Sequence, residues 1–298
     1  MRRKKRSTIW LLVLPVAVVI AMMSPVEARS APTTLKLDVY VADETAFGVT
    51  STLIYGRREA ILVDAQLRNS DAEKLADRIA ATGRTLKAIF ITHPDADHYI
   101  GLAVLHRRFP AARIYMTSKA LGEFQRTVAD SLAGERKSAP AETPNSLPTP
   151  APLLSRLTVD GVPLEVLANM QGDYPKTPAN SPIWIPALRT LIADDVAFNG
   201  VHPWLAGSSE ATRAAWRTTL EKLSAMHPLR VVAGHKKSSA LEDSPAVLAF
   251  MIRYLTDFDT ARKASPDADA FVSAMSQKYP DLAQQKFLAR AAKTSYAN

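Results

Sequence analysis

Residues 87–102, KAIFITHPDADHYIGL, constrain this chain more than any other stretch. The apolar run reads as a buried strand, and GLAVLHRRFP behind it has helical spacing. Between them His93, Asp95, Asp97 and His98 crowd onto a six-residue loop. A loop leaving a strand end can turn several such groups toward one point, where they repel or desolvate one another unless a cation joins them. Imidazole with carboxylate suits Zn, Fe or Mn. The plainer alternative is a solvated acidic turn around Pro94. Placement at a strand end, before a Gly-initiated helix, favours the metal.

The text on either side supplies the frame. LKLDVYVA, STLIYG and AILVDA are successive β-rich runs with polar or Gly-containing turns, which suggests antiparallel strands. SDAEKLADRIAATG is a helix, with Ser70 or Asp71 able to cap it and Gly83 as its stop. ARIYMT is a strand and SKALGEFQRTVADSLAG a helix, and residues 135–152 are a Pro-rich excursion expected to be mobile. Strand text resumes with LSRLTVD, VPLEVLA, SPIWIP and RTLIADD. A helix over SEATRAAWRTTLEKLSAM, the strand RVVAGH and a largely helical tail from Pro245 follow. The second group of strands lacks a helical layer of its own, so the expectation is one domain over 29–298: two packed sheets with helices outside.

Residues 1–28 are set apart. A basic head, an apolar run from Ile9 to Met23 and Val26-Glu27-Ala28 have the order and size of a secretory signal peptide cut after Ala28. The run contains Pro15 and is short for a spanning helix, so no stable membrane anchor is expected after cleavage. Cleavage removes Arg2, Arg3, Lys4, Lys5, Arg6 and Glu27, lowering the net charge from +8 to +4. The remaining basic residues do not interleave with aromatics, so no nucleic-acid surface is expected. A periplasmic or secreted location follows. With no Cys in the chain, disulfides, thiolate metal sites and Cys nucleophiles are excluded, and any metal is held by His and carboxylate.

THPDADHYIG resembles the metal-binding loop of the metallo-β-lactamase superfamily, whose signature is His-x-His-x-Asp-His followed closely by Gly. STLIYGRREAILVDAQ is similar to the family's early hairpin ending in a structural Asp, here Asp64. IADDVAF resembles the strand delivering a bridging Asp, and VVAGHKK the strand delivering the last His. The resemblance implies an α/β fold, the αββα sandwich of two mixed sheets flanked by helices, with the metal between the sheets at one edge. It implies Asp97, His98 and His235 as one metal's ligands and Asp195 as the bridging carboxylate. Asp194 takes a place where the family often has Gly, and is expected to be a solvent-facing or hydrogen-bonded neighbour.

The other metal position departs from the family. His93 is kept, Asp95 replaces a His, and an ungapped match places Lys176 where a third His belongs, with Asp173 and Asn180 the nearest alternatives. Either a metal stays there on a harder ligand set that favours Fe or Mn, or Lys176 pairs with Asp95 in its place. The implied cofactor is Zn2+, one or two ions.

Such a site implies a hydrolase that uses a metal-bound hydroxide, oriented by Asp97, on a small ester, lactone, thioester or amide. Tyr99, His202 and Trp204 are candidate pocket residues, with ordinary packing as the alternative; His106 and His227 read as surface. A binding protein with a degenerate site and little turnover is the rival from another class, motivated by Asp95 and Lys176. Redox chemistry is a third, made weaker by the lack of an attached flavin domain. No Gly-x-Ser-x-Gly elbow and no phosphate-cradling Gly-rich loop is evident.

Overall fold

The structure, a computed structural model, describes residues 35–297. The signal peptide expected at residues 1–28 lies outside them. Strands β1 (Lys36–Val41), β2 (Thr50–Tyr55) and β3 (Glu59–Val63) form the antiparallel meander that the turns predict. Helix α1 (Asn69–Ala81) then crosses over to bring β4 (Thr85–Phe90) parallel to β3. After the short helices α2 (Ala96–Tyr99) and α3 (Leu102–Arg108) come β5 (Arg113–Met116), α4 (Ser118–Ser138) and β6 (Ala151–Pro152), which complete a six-stranded sheet in chain order.

The second sheet has the order β11-β10-β9-β8-β7. Its strands are β7 (Leu157–Val159), β8 (Val162–Val166), β9 (Ile183–Ile185), β10 (Thr190–Asn199) and β11 (Arg230–Lys236), the last parallel to β10. Helix α5 (Glu210–Ser224) links β10 to β11, and α6 (Ala246–Ala264), α7 (Ala268–Lys278) and α8 (Gln285–Ser295) make the tail.

Side-chain alternation turns these strands into layers. Ile54, Ile61, Val63 and Phe90 meet Leu164, Ile183, Ile185 and Ile192 between the sheets. Their sequence neighbours Leu53, Leu62 and Ile89 point the other way, onto Leu75, Ile79 and Leu105 of the first helical layer. On the far side Leu191, Ala193, Val231 and Ala233 pack on Trp216, Leu220 and the tail. Each such Leu, Ile, Val or Phe side chain, fully buried, contributes about 1.5–3 kcal/mol. The result is the αββα sandwich.

The Pro-rich stretch differs from expectation. Residues 135–138 are the last turn of α4, Thr143 is buried, Leu147 packs on the first core, and Ala151–Pro152 pair with Tyr115 and Met116. An edge strand tolerates proline because its outer side needs no ladder donor. Glu142 Oε2 accepts the Ser70 backbone N–H at 2.9 Å, so it holds the start of α1, where the sequence predicts Ser70 or Asp71 as the cap. Asp71 instead accepts from Tyr40 Oη at 2.6 Å.

Candidate metal centre

The loop after β4 is held by Asp64, which ends β3 in the left-handed region at φ 62°. Its carboxylate accepts from the Thr92 backbone N–H at 2.9 Å and faces His98 Nδ1 at 3.0 Å. Gly101 closes the turn. A Cβ there would stand 1.9 Å from the Ala65 carbonyl oxygen, so no larger residue fits. From the other sheet, β10 delivers two adjacent carboxylates. Asp194 sits at φ 56°, and the ladder with β11 shifts register on both sides of it. A residue added to one strand re-aims its neighbours, so Asp194 and Asp195 both turn inward, 1% and 2% exposed.

The three imidazoles are oriented from behind. His93 Nδ1 lies 2.7 Å from Asp194 Oδ1, His98 Nδ1 contacts Asp64, and His235 Nδ1 is 3.0 Å from the Phe47 carbonyl oxygen. Each ring therefore presents Nε2 forward, the arrangement in which a partner on one nitrogen fixes the other for ligation. His98 Nε2 is 3.3 Å from Asp195 Oδ1 and 4.0 Å from Asp97 Oδ2. His235 Nε2 lies 3.0 Å from Asp195 Oδ2 and 3.4 Å from Asp97 Oδ2. His93 Nε2 faces a second group: Asp95 Oδ2 at 3.6 Å, Asp195 Oδ2 at 3.9 Å and Asp173 Oδ1 at 4.0 Å.

His93 Nε2, His98 Nε2 and Asp195 Oδ1 are buried without a hydrogen-bond partner. Buried polar atoms are almost always satisfied, and three orphans converging on one volume fit a divalent cation. Two ligands on one tetrahedral ion stand about 3.4 Å apart, close to the separations here. Charge agrees. Burial works against charged rings, yet Asp194 holds His93, and Asp195 holds His98, well above the ordinary histidine value. Burial, with Asp195 and Asp95, raises Asp173 well above the usual carboxylate range. So many buried carboxylates call for positive charge.

The sequence model of the metallo-β-lactamase superfamily matches residues 45–235, a span that holds all of these side chains. The chain belongs to the metallo-β-lactamase superfamily. Its members are metallo-hydrolases. No curated protein matches the sequence significantly. Among solved structures, a metallo-β-lactamase family protein from Thermus thermophilus is similar with a TM-score of 0.63 at 18% identity, over 88% of this chain and 91% of that one. A β-lactamase domain protein from Burkholderia ambifaria gives 0.62 at 16% identity, with 90% of each chain covered. DIM-1 metallo-β-lactamase gives 0.51 at 20% identity, over 75% of this chain and 93% of its own. At these identities the likeness is one of fold.

Against the superfamily's pattern, the structure brings His93, Asp95, Asp97, His98, Asp195 and His235 together around one centre. It does not bring Lys176 there. Lys176 is exposed and forms no ion pair with Asp95. The group in that place is Asp173, three residues earlier, held by Asn180 Nδ2 at 3.1 Å. Asp194 is a buried hydrogen-bonded neighbour, taking donors from Thr92 Oγ1 at 2.9 Å and the Ser181 backbone at 3.1 Å; it does not face solvent. Its positive φ accounts for glycine as the common metallo-β-lactamase residue.

Two pocket expectations are corrected. Tyr99 and His202 are both fully buried. Tyr99 stacks edge-on against Phe124, and His202 Nδ1 pairs with Tyr254 Oη at 2.7 Å among the tail helices, so neither reaches the cleft. Trp204 does. The cleft over the centre has a volume of about 320 Å3, and Trp204 lines it with Phe47, Phe287, Asp97 and Glu135. Phe47 and Phe287 went unrecognised in the sequence, because their ring contact of 5.4 Å joins the two ends of the chain. His106 and His227 are exposed, as expected.

Proposed function

We propose that this protein is an exported metal-dependent hydrolase acting on a small ester, lactone, thioester or amide with an apolar acyl group. The observation that carries this reading is the convergence of His93 Nε2, His98 Nε2 and Asp195 Oδ1, all buried and unpartnered, beside a cleft that Asp95, Asp97, Asp173, Asp195 and His235 line. His93, Asp95, Asp97, His98, Asp173, Asp195 and His235 would hold the cation or cations, with zinc as the first candidate. A divalent ion in such a site acidifies water to a pKa of about 7 and polarises a carbonyl oxygen.

The chain supplies the rest. Asp64, Asp194 and the Phe47 carbonyl keep the three Nε2 atoms aimed forward. Asp97, less buried than Asp195, turns Oδ2 toward His98 and His235 and lines the cleft, where its other oxygen would orient the attacking water and accept its proton. Phe47, Trp204 and Phe287 form an apolar wall that seats the acyl group and excludes bulk water.

The binding-only reading was motivated by Asp95 and Lys176; Lys176 lies at the surface, and Asp95 faces His93 Nε2 at 3.6 Å. Residues 1–28 are read as a secretory signal that delivers the mature chain to the periplasm or beyond. The test is turnover of a panel of aryl esters, lactones, thioesters and amides by chelated and metal-restored protein. Restored protein is expected to turn over at least one class, and His98→Ala and Asp97→Asn to lose that activity. Equal turnover by the chelated protein, or by both variants, would sink the proposal.

A further inference from the structure

The centre is not symmetric. On one side Asp97, His98 and His235 form a group with two imidazoles. On the other, His93 is the lone imidazole beside Asp95 and Asp173, and Asp195 lies between the groups, within 3.0 Å of His235 and 3.9 Å of His93. Asp173 is built into place. It is 2% exposed, its carboxylate accepts from Asn180 Nδ2, and its backbone N–H donates to the Asp195 carbonyl at 3.3 Å. Gly172 before it allows the close approach, since a Cβ there would meet Asn180 Cγ at 2.8 Å. His93 Nε2, fully buried and unpartnered, aims at the same point.

We propose that the two positions differ in hardness: Asp97, His98, His235 and Asp195 hold zinc, whereas His93, Asp95, Asp173 and Asp195 form a carboxylate-rich position occupied by Mn2+ or Fe2+. The inference rests on reading the centre as a cation site, as above. Zinc binds both sets more tightly than manganese in the Irving–Williams order, but its advantage is greatest where imidazole is plentiful and smallest where oxygen donors dominate. When zinc is limiting, it therefore settles on the imidazole-rich side and leaves the other to the harder ion. Three carboxylates at the second position also balance a dication there without help from Lys176.

The test reads metal content, not turnover. Chelated full-length protein is given one equivalent of Zn2+ with excess Mn2+ and dialysed. Elemental analysis and the paramagnetic resonance of bound Mn2+ then count the ions. One zinc and one manganese per chain are expected. Asp173→Asn, nearly isosteric, should weaken manganese retention by about tenfold or more while keeping the zinc. Asp173→His should move the second position toward zinc, raising its zinc-over-manganese selectivity by about tenfold. Circular dichroism confirms that each variant is folded, and Asp95→Asn provides a second arm if Asp173 variants do not fold. Retention of manganese by Asp173→Asn and Asp95→Asn alike, or a second ion bound only as zinc by the unaltered protein, overturns the inference alone. If no ion of either kind is retained, the cation-site reading fails with it.

Discussion

Asp194 and Gly234 show how little room the centre leaves. Two consecutive carboxylates reach inward only because Asp194 adopts a left-handed backbone, and β11 passes so close that a Cβ on Gly234 would stand 1.9 Å from Asp195 Oδ1. Gly234→Ala must displace Asp195, the carboxylate between the two cation groups. A folded protein with at least about tenfold weaker cation retention is expected, at a stability cost of about 1–3 kcal/mol from overpacking; metal analysis after dialysis and urea unfolding check both. His202 makes a different prediction. Burial pushes it down to about 4, against about 6.5 in an unfolded chain. Between those values the unfolded state binds the extra proton, so the stability present above pH 6.5 falls as pH drops toward 4, by roughly 3 kcal/mol in all. In His202→Asn, whose amide oxygen can still accept from Tyr254, the stability difference between pH 7 and pH 4.5 should shrink by about 2 kcal/mol in denaturant titrations at the two pH values.

Helix α8 is where the tail becomes part of the site. Phe287 is 5% exposed, packs on Phe47 and Trp204, and forms one face of the cleft. Phe287→Leu keeps most of that burial but shortens the wall, so for an aryl ester KM should rise by about tenfold with kcat little changed. A fall in kcat at constant KM would place Phe287 outside the acyl pocket. The tail was legible only as largely helical, whereas the meander, the crossover to β4, and the strands carrying Asp195 and His235 could be read segment by segment. Candidate ligands written on a strand or just after one are readable because the strand fixes where they go. Asp173 was harder to read. It lies in an irregular loop whose register is set by the Met170–Asn180 bridge and the bond to Asp195, so an ungapped match fell on Lys176. Tyr99 and His202 were misread because an aromatic or imidazole beside a site looks alike whether it faces cleft or core. Glu142 at the start of α1 and Phe47 against Phe287 are contacts between distant segments, which local pattern cannot show.

Across the whole molecule the candidate ligands are divided between the layers. His93, Asp95, Asp97 and His98 come from the first sheet's loop, and Asp173, Asp195 and His235 from the second half of the chain. The halves are also stitched beside the centre, where Val49 bridges to His235 and the Lys236 backbone N–H donates to the Gly48 carbonyl at 2.8 Å. Removing the cation should leave several buried carboxylates facing one another across that seam. The melting temperature should drop on chelation and recover on adding metal, with a stabilisation of about 4 kcal/mol when free ion exceeds Kd a thousandfold; calorimetry with and without chelator measures it. An unchanged melting temperature would mean that the seam holds without the ion. An ion held at this centre would favour the folded chain over the unfolded one, and its supply would then govern how often the sandwich opens to a protease. Starved of metal, cells should keep less of this protein, so its lifetime becomes a record of the cations around it.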